Sequence, residues 1–313
     1  MMNRLKIIIA CCCFASIAQA QFRVVGYIHS GRQMPDISNV NFQKLTHLNI
    51  AFVNPDSVGN LILPDGLDSL ITVAHANKVK VLLSIGGGSH NPYYTRLLTD
   101  SMRGTFTDKL TSLVTKYNLD GLDVDLENDV IDDNYENFVK DLSARLKPMN
   151  KLLTSAVATW NGEKISDVAL KQFDFVNIMS YDETGPWAPQ RPGQHSSYEK
   201  AVNDLSYWTI TRHLPGEKIN LGLPFYAYSF GTKYGSYFSF ADIISKFPGN
   251  ENKDEIHPEG GGAIYYNGVA TIRKKTLLAK EKAAGVMIWQ LLQDDPGKYS
   301  LLNVIDQQIH SSH

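Results

Sequence analysis

An α/β chain folded as a (β/α)8 TIM barrel is the class this sequence predicts, and three observations predict it. Eight short apolar runs recur along the chain, amphipathic helical stretches separate them, and the whole fits into about 290 residues after the first twenty. Strands separated by helices pair in parallel through right-handed crossovers, and eight such units suit a closed barrel better than an open sheet. No Gly-x-Gly-x-x-Gly follows the first run, so a dinucleotide-binding sheet has no support. With 313 residues, 43% of them hydrophobic, and no repeat, low-complexity tract or linker, the chain reads as a single domain around one core.

In chain order, residues 1–20 read as an export signal. Arg4 and Lys6 precede an apolar run over 7–17, and Ala18-Gln19-Ala20 offers small residues for cleavage after Ala20. The run is too short to span a bilayer, so a secreted or periplasmic protein without a membrane span is expected. Ile8-Ile9-Ala10-Cys11 loosely resembles a lipoprotein cleavage box, the lesser alternative. Cys11, Cys12 and Cys13 are the only cysteines, so the mature chain would hold no disulfide and no thiol nucleophile.

Strands are expected at 23–28, 45–53, 79–85, 122–126, 152–158, 173–179, 219–223 and 286–289. Between them, Phe106, Leu110, Leu113, Val114 and Tyr117 keep one helical face, as do Tyr135, Phe138, Val139, Leu142 and Leu146. A helix over 197–211 would carry Tyr198, Val202, Leu205 and Trp208 inward, and 301–309 closes the chain as a last helix. The roughly sixty residues between Tyr226 and Val286 must hold the seventh helix, which leaves room for at most a short insertion between strands 7 and 8.

Charge excludes some partners. Lys and Arg number 30 against 32 Asp and Glu, and no basic run exceeds Arg273-Lys274-Lys275, so nucleic acid has no electrostatic claim on the surface. His29, His47 and His75 show no metal-ligand spacing, and neither metal nor cofactor is expected. A monomer is the expected state.

The chemistry concentrates in Asp120-Gly-Leu-Asp-Val-Asp-Leu-Glu127. Because strand side chains alternate, Asp123, Asp125 and Glu127 share one face and Leu122, Val124 and Leu126 the other. A row of carboxylates in a cleft cannot ionise fully, so one or more should hold a proton near neutral pH. A solvated edge strand would mix Lys and Thr into such a face, and a calcium loop would need a turn glycine that is missing. Asp120 has the opposite parity and reads as a structural acid. The other irregular pieces fall where a barrel places chemistry, at strand ends: Tyr27, Ser84-Ile85-Gly86-Gly87-Gly88, Tyr181-Asp182, Tyr226 at the end of the seventh strand, and Trp289. Trp208 reads as core, while Trp160 and Trp187 lie near mouth loops as outer ligand platforms or loop anchors.

The acidic motif resembles the signature of the family 18 glycoside hydrolases, the chitinases. Ser84-x-Gly-Gly, Met179-x-Tyr-Asp182, Gly222-Leu-Pro-Phe-Tyr226 and Trp289 extend the resemblance across nearly all of residues 22–309. It implies hydrolysis of β-1,4 linkages in a polysaccharide or oligosaccharide of N-acetylglucosamine, by a retaining reaction in which the substrate's acetamido oxygen attacks the anomeric carbon. Glu127 would be the general acid, and Asp125 would orient the acetamido group, sharing a proton with the deeper Asp123. Tyr181 and Asp182 would bond the acetamido group and tune Glu127. Trp289 would form the floor of the reacting subsite, with Tyr27, Phe52, Gly87, Met179 and Tyr226 lining it. Tyr228 stands where many relatives have Arg. Enzymes acting on N-glycans or peptidoglycan share the motif and mechanism, and inactive sugar-binding relatives share the scaffold but typically lose the acid position.

Overall fold

A computed structural model describes residues 21–311. The expected export signal, with all three cysteines, lies outside the described residues.

The strands are β1 (Arg23–His29), β2 (His47–Ala51), β3 (Lys80–Gly86), β4 (Gly121–Asp125), β5 (Leu152–Val157), β6 (Phe175–Ile178), β7 (Ile219–Pro224), β8 (Tyr226–Phe230), β9 (Tyr237–Ser239), β10 (Glu255–Ile256), β11 (Ala263–Tyr265) and β12 (Gly285–Trp289). Eight of them close a parallel barrel in the order β1-β12-β7-β6-β5-β4-β3-β2. Around it lie helices α1 (Leu67–Ala76), α2 (Tyr94–Leu97), α3 (Asp100–Lys116), α4 (Tyr135–Leu146), α5 (Asp167–Gln172), α6 (Tyr198–Ser206), α7 (Phe240–Lys246), α8 (Val269–Lys282) and α9 (Leu301–His310). The expected (β/α)8 class is therefore the observed one.

Alternation along each strand sorts the core into two layers. Val24, Ile28, Leu48, Ile50, Leu122 and Val124 face outward into the main cluster beneath the helices. Val25, Tyr27, Ala51, Phe175, Tyr181, Tyr226 and Met287 form a smaller cluster inside the barrel. Register then decides who meets whom. Ser84 of β3 lies opposite Asp123 of β4, which lies opposite Thr154 of β5, so two hydroxyls flank one carboxylate. Asp120, just before β4, accepts the backbone N–H of Val81 at 2.8 Å and meets His75 Nε2 at 2.9 Å, the structural part expected of it.

In α4 Tyr135, Phe138, Val139, Leu142 and Leu146 are buried, the face read from the sequence, and Ser143 joins them. Helix α6 departs from its reading. Tyr198 and Val202 are exposed, while Ala201, Asp204 and Leu205 turn inward. The phase shifts by one residue because Asp204 is anchored, accepting from Ser180 Oγ at 2.7 Å and facing Lys200 Nζ at 3.2 Å. Trp208 is fully buried, as core packing requires, in a π-turn over Tyr207–Thr211.

The insertion between β7 and β12 takes the form of an antiparallel sheet, order β10-β11-β8-β9, with α7 closed by a Ser239–Asp242 capping box. Tyr226 does not end the seventh barrel strand, as the sequence reading had it. The Phe225 N–H donates to the Trp289 carbonyl at 2.9 Å, the chain leaves the barrel, and Tyr226 opens β8.

Phe138 has no exposed surface and stacks on Phe106, with centroids 5.9 Å apart and planes 14° from parallel. Phe138→Ala should cost about 3–5 kcal/mol of unfolding free energy in a urea titration, since the ring joins two helices and the barrel wall cannot close on the cavity.

Candidate active site

Strand β4 ends at Asp125, and Leu126 and Glu127 continue in extended backbone over the barrel mouth. Leu122, Val124 and Leu126 bury into the outer core, so the three acids must face the barrel axis and the mouth. Asp123, the deepest, has no exposed surface. Its Oδ2 accepts from Tyr27 Oη and Ser84 Oγ, each at 2.7 Å, and its Oδ1 from Thr154 Oγ1 at 2.5 Å. Burial raises its pKa above the ordinary aspartate range, and the hydroxyls oppose that rise.

Asp125 sits one step higher, still buried, and its Oδ1 has no hydrogen-bond partner. Burial, then the charges of Glu127 and Asp123, push its pKa well above the ordinary aspartate range, which favours its protonated form. Glu127 is half-buried in the cleft wall, and burial followed by the charge of Asp182 pushes its pKa up to about 7. A Cβ added at Gly88 would lie 3.4 Å from Glu127 Oε1, so the glycine keeps that oxygen reachable.

Asp182 adopts a left-handed backbone (φ 59°) after β6 and accepts a short hydrogen bond from Tyr226 Oη. Tyr181 is buried beside it, and burial, Asp125 and Asp182 hold its phenol well above the ordinary value, so it stays a donor. The floor is aromatic: Trp289 stacks on Phe52 at 5.4 Å and 24°, and Tyr27 packs against it at 5.6 Å. Gly87 (φ +90°) makes room for Phe52, whose ring lies 2.5 Å from where a Cβ would stand. Met179 packs partly buried against the inner cluster. A cleft of about 780 Å³ lined by Glu127, Tyr181 and Asp182 runs past Trp160 and Trp187, which are 63% and 59% exposed. All eleven site residues read from the sequence therefore lie at one end of the barrel or immediately beneath it.

Two residues were not anticipated. His195 is fully buried between the rings of Tyr226 and Tyr228, each 4.9 Å away, with Nδ1 3.5 Å from Asp182 Oδ1. Burial lowers its pKa against the pull of Asp182, so it is neutral. Nothing in its spacing marked it, since the loop that brings it back to Asp182 is irregular. Tyr237 stacks on Tyr226 at 5.6 Å and 18° from β9, a strand that the sequence reading did not place. Tyr228 fills the same corner edge-on to Trp187 at 5.2 Å.

A parallel barrel carrying a proton-holding acid at the carboxyl end of a strand, beside an aromatic floor and an open cleft, is the arrangement a glycoside hydrolase requires. Residues 23–294 match the profile of the glycosyl hydrolases family 18, and the chain belongs to that family. The crystal structure of a family 18 chitinase from the chitin utilization locus of Flavobacterium johnsoniae is 38% identical, with TM-score 0.85 over 92% of this chain and 94% of that one. A chitinase from Bacteroides thetaiotaomicron is 29% identical, with TM-score 0.78 over 94% of this chain and 99% of that one. A chitinase-like effector of Moniliophthora roreri is 30% identical over 70% of this chain. Among such curated relatives the chain spans 62% of the Moniliophthora protein and 14% of a probable chitinase 10 of Drosophila melanogaster, which is 25% identical over 85% of this chain.

If Glu127 is the proton donor it must be protonated to act, and activity should then fall as pH rises through about 7. Asp182→Asn removes a charge that raises that pKa, and the alkaline limb of the pH profile should move to lower pH. The shift is measurable as kcat/KM against pH on a chromogenic N-acetylglucosaminide.

Proposed function

We propose that the chain hydrolyses β-1,4 linkages between N-acetylglucosamine residues of chitin or chito-oligosaccharides, with retention of anomeric configuration and with the substrate's acetamido oxygen as nucleophile. Glu127 protonates the glycosidic oxygen as the aglycone leaves and then, as a carboxylate, takes a proton from the incoming water. The negative charge of the Asp123–Asp125 pair stabilises the positive charge that develops on the sugar and its oxazolinium. Tyr181 donates to the acetamido oxygen, Asp182 tunes Glu127, and Trp289 supports the sugar face. Exported by its N-terminal segment, the enzyme would meet its polymer outside the cytoplasm.

The observation that carries this reading is the contrast within the row. Glu127 opens on the cleft with a pKa of about 7, whereas Asp125 is 3% exposed with one oxygen lacking a partner. A carboxylate that buried is poorly placed to attack an anomeric carbon, but its free oxygen can hold the N–H of an acetamido group and point the amide oxygen at that carbon. A buried polar atom without a partner costs about 1–3 kcal/mol, which such a bond would recover. The two solved neighbours described as chitinases, from Flavobacterium johnsoniae and Bacteroides thetaiotaomicron, support the same substrate.

Glu127→Gln should lower kcat on a chromogenic chitobioside by roughly 10²–10⁴ or more, with circular dichroism and melting unchanged. Fully deacetylated chitosan should not be cleaved, because it lacks the nucleophile. Faster release from N-linked glycopeptides than from chito-oligosaccharides would transfer the activity to that substrate class.

A further inference from the structure

The inside of the barrel carries more polar groups than the reaction needs. Asn49, Ser84, Thr154, Asn177 and Asn220 all have no exposed surface. Four hydrogen bonds in series climb from the closed end to the acid row. Arg23 Nε donates to Asn220 Oδ1 at 2.8 Å, Asn220 Nδ2 to Asn177 Oδ1 at 2.9 Å, Asn177 Nδ2 to Tyr27 Oη at 3.1 Å, and Tyr27 Oη to Asp123 Oδ2 at 2.7 Å.

The direction of this chain is dictated at its foot. A guanidinium can only donate, so Asn220 presents its oxygen to Arg23 and its amide hydrogens to Asn177. Asn177 is oriented in turn, its NH2 takes a lone pair of the Tyr27 hydroxyl, and the Tyr27 proton is left pointing at Asp123. We propose that Arg23, at the barrel end opposite the cleft, is a positioning residue for hydrolysis: through Asn220, Asn177 and Tyr27 it fixes Asp123 as an acceptor and keeps that carboxylate ionised beneath Asp125. The inference rests on the roles given above to the acid row. Asp123 already accepts from Ser84 and Thr154, so a third donor of fixed direction leaves the shared proton with Asp125.

The foot of the chain is itself built. Arg23 lies over the Phe175 ring at 4.7 Å and donates to the Glu217 carbonyl at 2.6 Å. A side chain at Gly285 would meet Asn220 Oδ1 at 2.3 Å, so the glycine reserves the space. His47 feels the charges of Lys80, Arg23 and Asp120, and it stays neutral, pushed down to about 3 by burial and the two cations against the pull of Asp120. Around Asp123 the titratable groups are Tyr27, Asp125 and Tyr135.

The test is the pH dependence of kcat/KM on a chromogenic chitobioside for the wild type, Arg23→Met, Arg23→Lys and Asn220→Asp. The acid limb reports loss of the row's negative charge. Without an oriented Tyr27 donor the Asp123 carboxylate is less stabilised, so Arg23→Met should move that limb up by about half a pH unit or more, leaving the alkaline limb of Glu127 in place. Arg23→Lys keeps a donor at the foot and should restore the wild-type limb. Asn220→Asp is nearly isosteric and pairs with Arg23, but it can only accept, so Asn177 must turn over and draw the Tyr27 proton away from Asp123. It should shift the acid limb upward with a melting temperature close to the wild type. Folded Arg23→Met and Asn220→Asp enzymes with unmoved acid limbs, or with kcat lowered equally at every pH, would overturn the proposal. A wild type inert on the chitobioside would instead strike the hydrolytic reading.

Discussion

Repulsion among three carboxylates on one strand is the constraint on which the site depends. Alternate residues on a strand are about 6–7 Å apart, and at an effective dielectric of about 20 two charges at that distance repel by roughly 2–3 kcal/mol, about two pKa units. Added to desolvation, that forbids three charges. The barrel resolves the conflict by unequal solvation: Asp123 is given three hydroxyl donors, Asp125 has an oxygen with none, and Glu127 reaches the cleft. Protons therefore collect at the upper two acids. A proton donor near neutral pH follows from burial and sequence spacing, with no special residue type required.

The surrounding loops hold the wall of that site. The Glu183 N–H donates to the His195 carbonyl at 3.0 Å, docking the Asp182 turn onto the returning loop. Beneath it Lys275, fully buried on α8, donates to the Ser196 carbonyl and Oγ at 2.7 Å and to Asn267 Oδ1 at 2.8 Å. Three ammonium hydrogens thus meet three acceptors, which is what lets a lysine sit inside the fold. Desolvation pulls its pKa down to about 7 all the same. The inserted sheet adds Tyr228 and Tyr237, so the corner beside Asp182 is walled by aromatics and a neutral imidazole.

Much of this was legible in the sequence because strand periodicity maps directly onto faces. The parity of Asp123, Asp125 and Glu127 placed them together, the opposite parity of Asp120 placed it apart, and the apolar runs gave the eight barrel strands. What periodicity could not give was long-range return. His195 reaches Asp182 through an irregular loop, Tyr237 arrives on a three-residue strand, and Tyr226 begins a new sheet with only Phe225 between it and β7. The inward face of α6 was misread by one residue because a buried Asp, satisfied by Ser180 and Lys200, looks in sequence like a solvated position.

The central claim is that the carboxylate row cannot ionise completely and leaves Glu127 protonated at the mouth. Isotope-edited infrared titration, with the wild type compared against Glu127→Gln, reads that carboxyl directly. The account predicts a carboxyl band that disappears with a midpoint near pH 7 and is absent from the variant. A midpoint close to 4.5, the ordinary value for a glutamate, would contradict it.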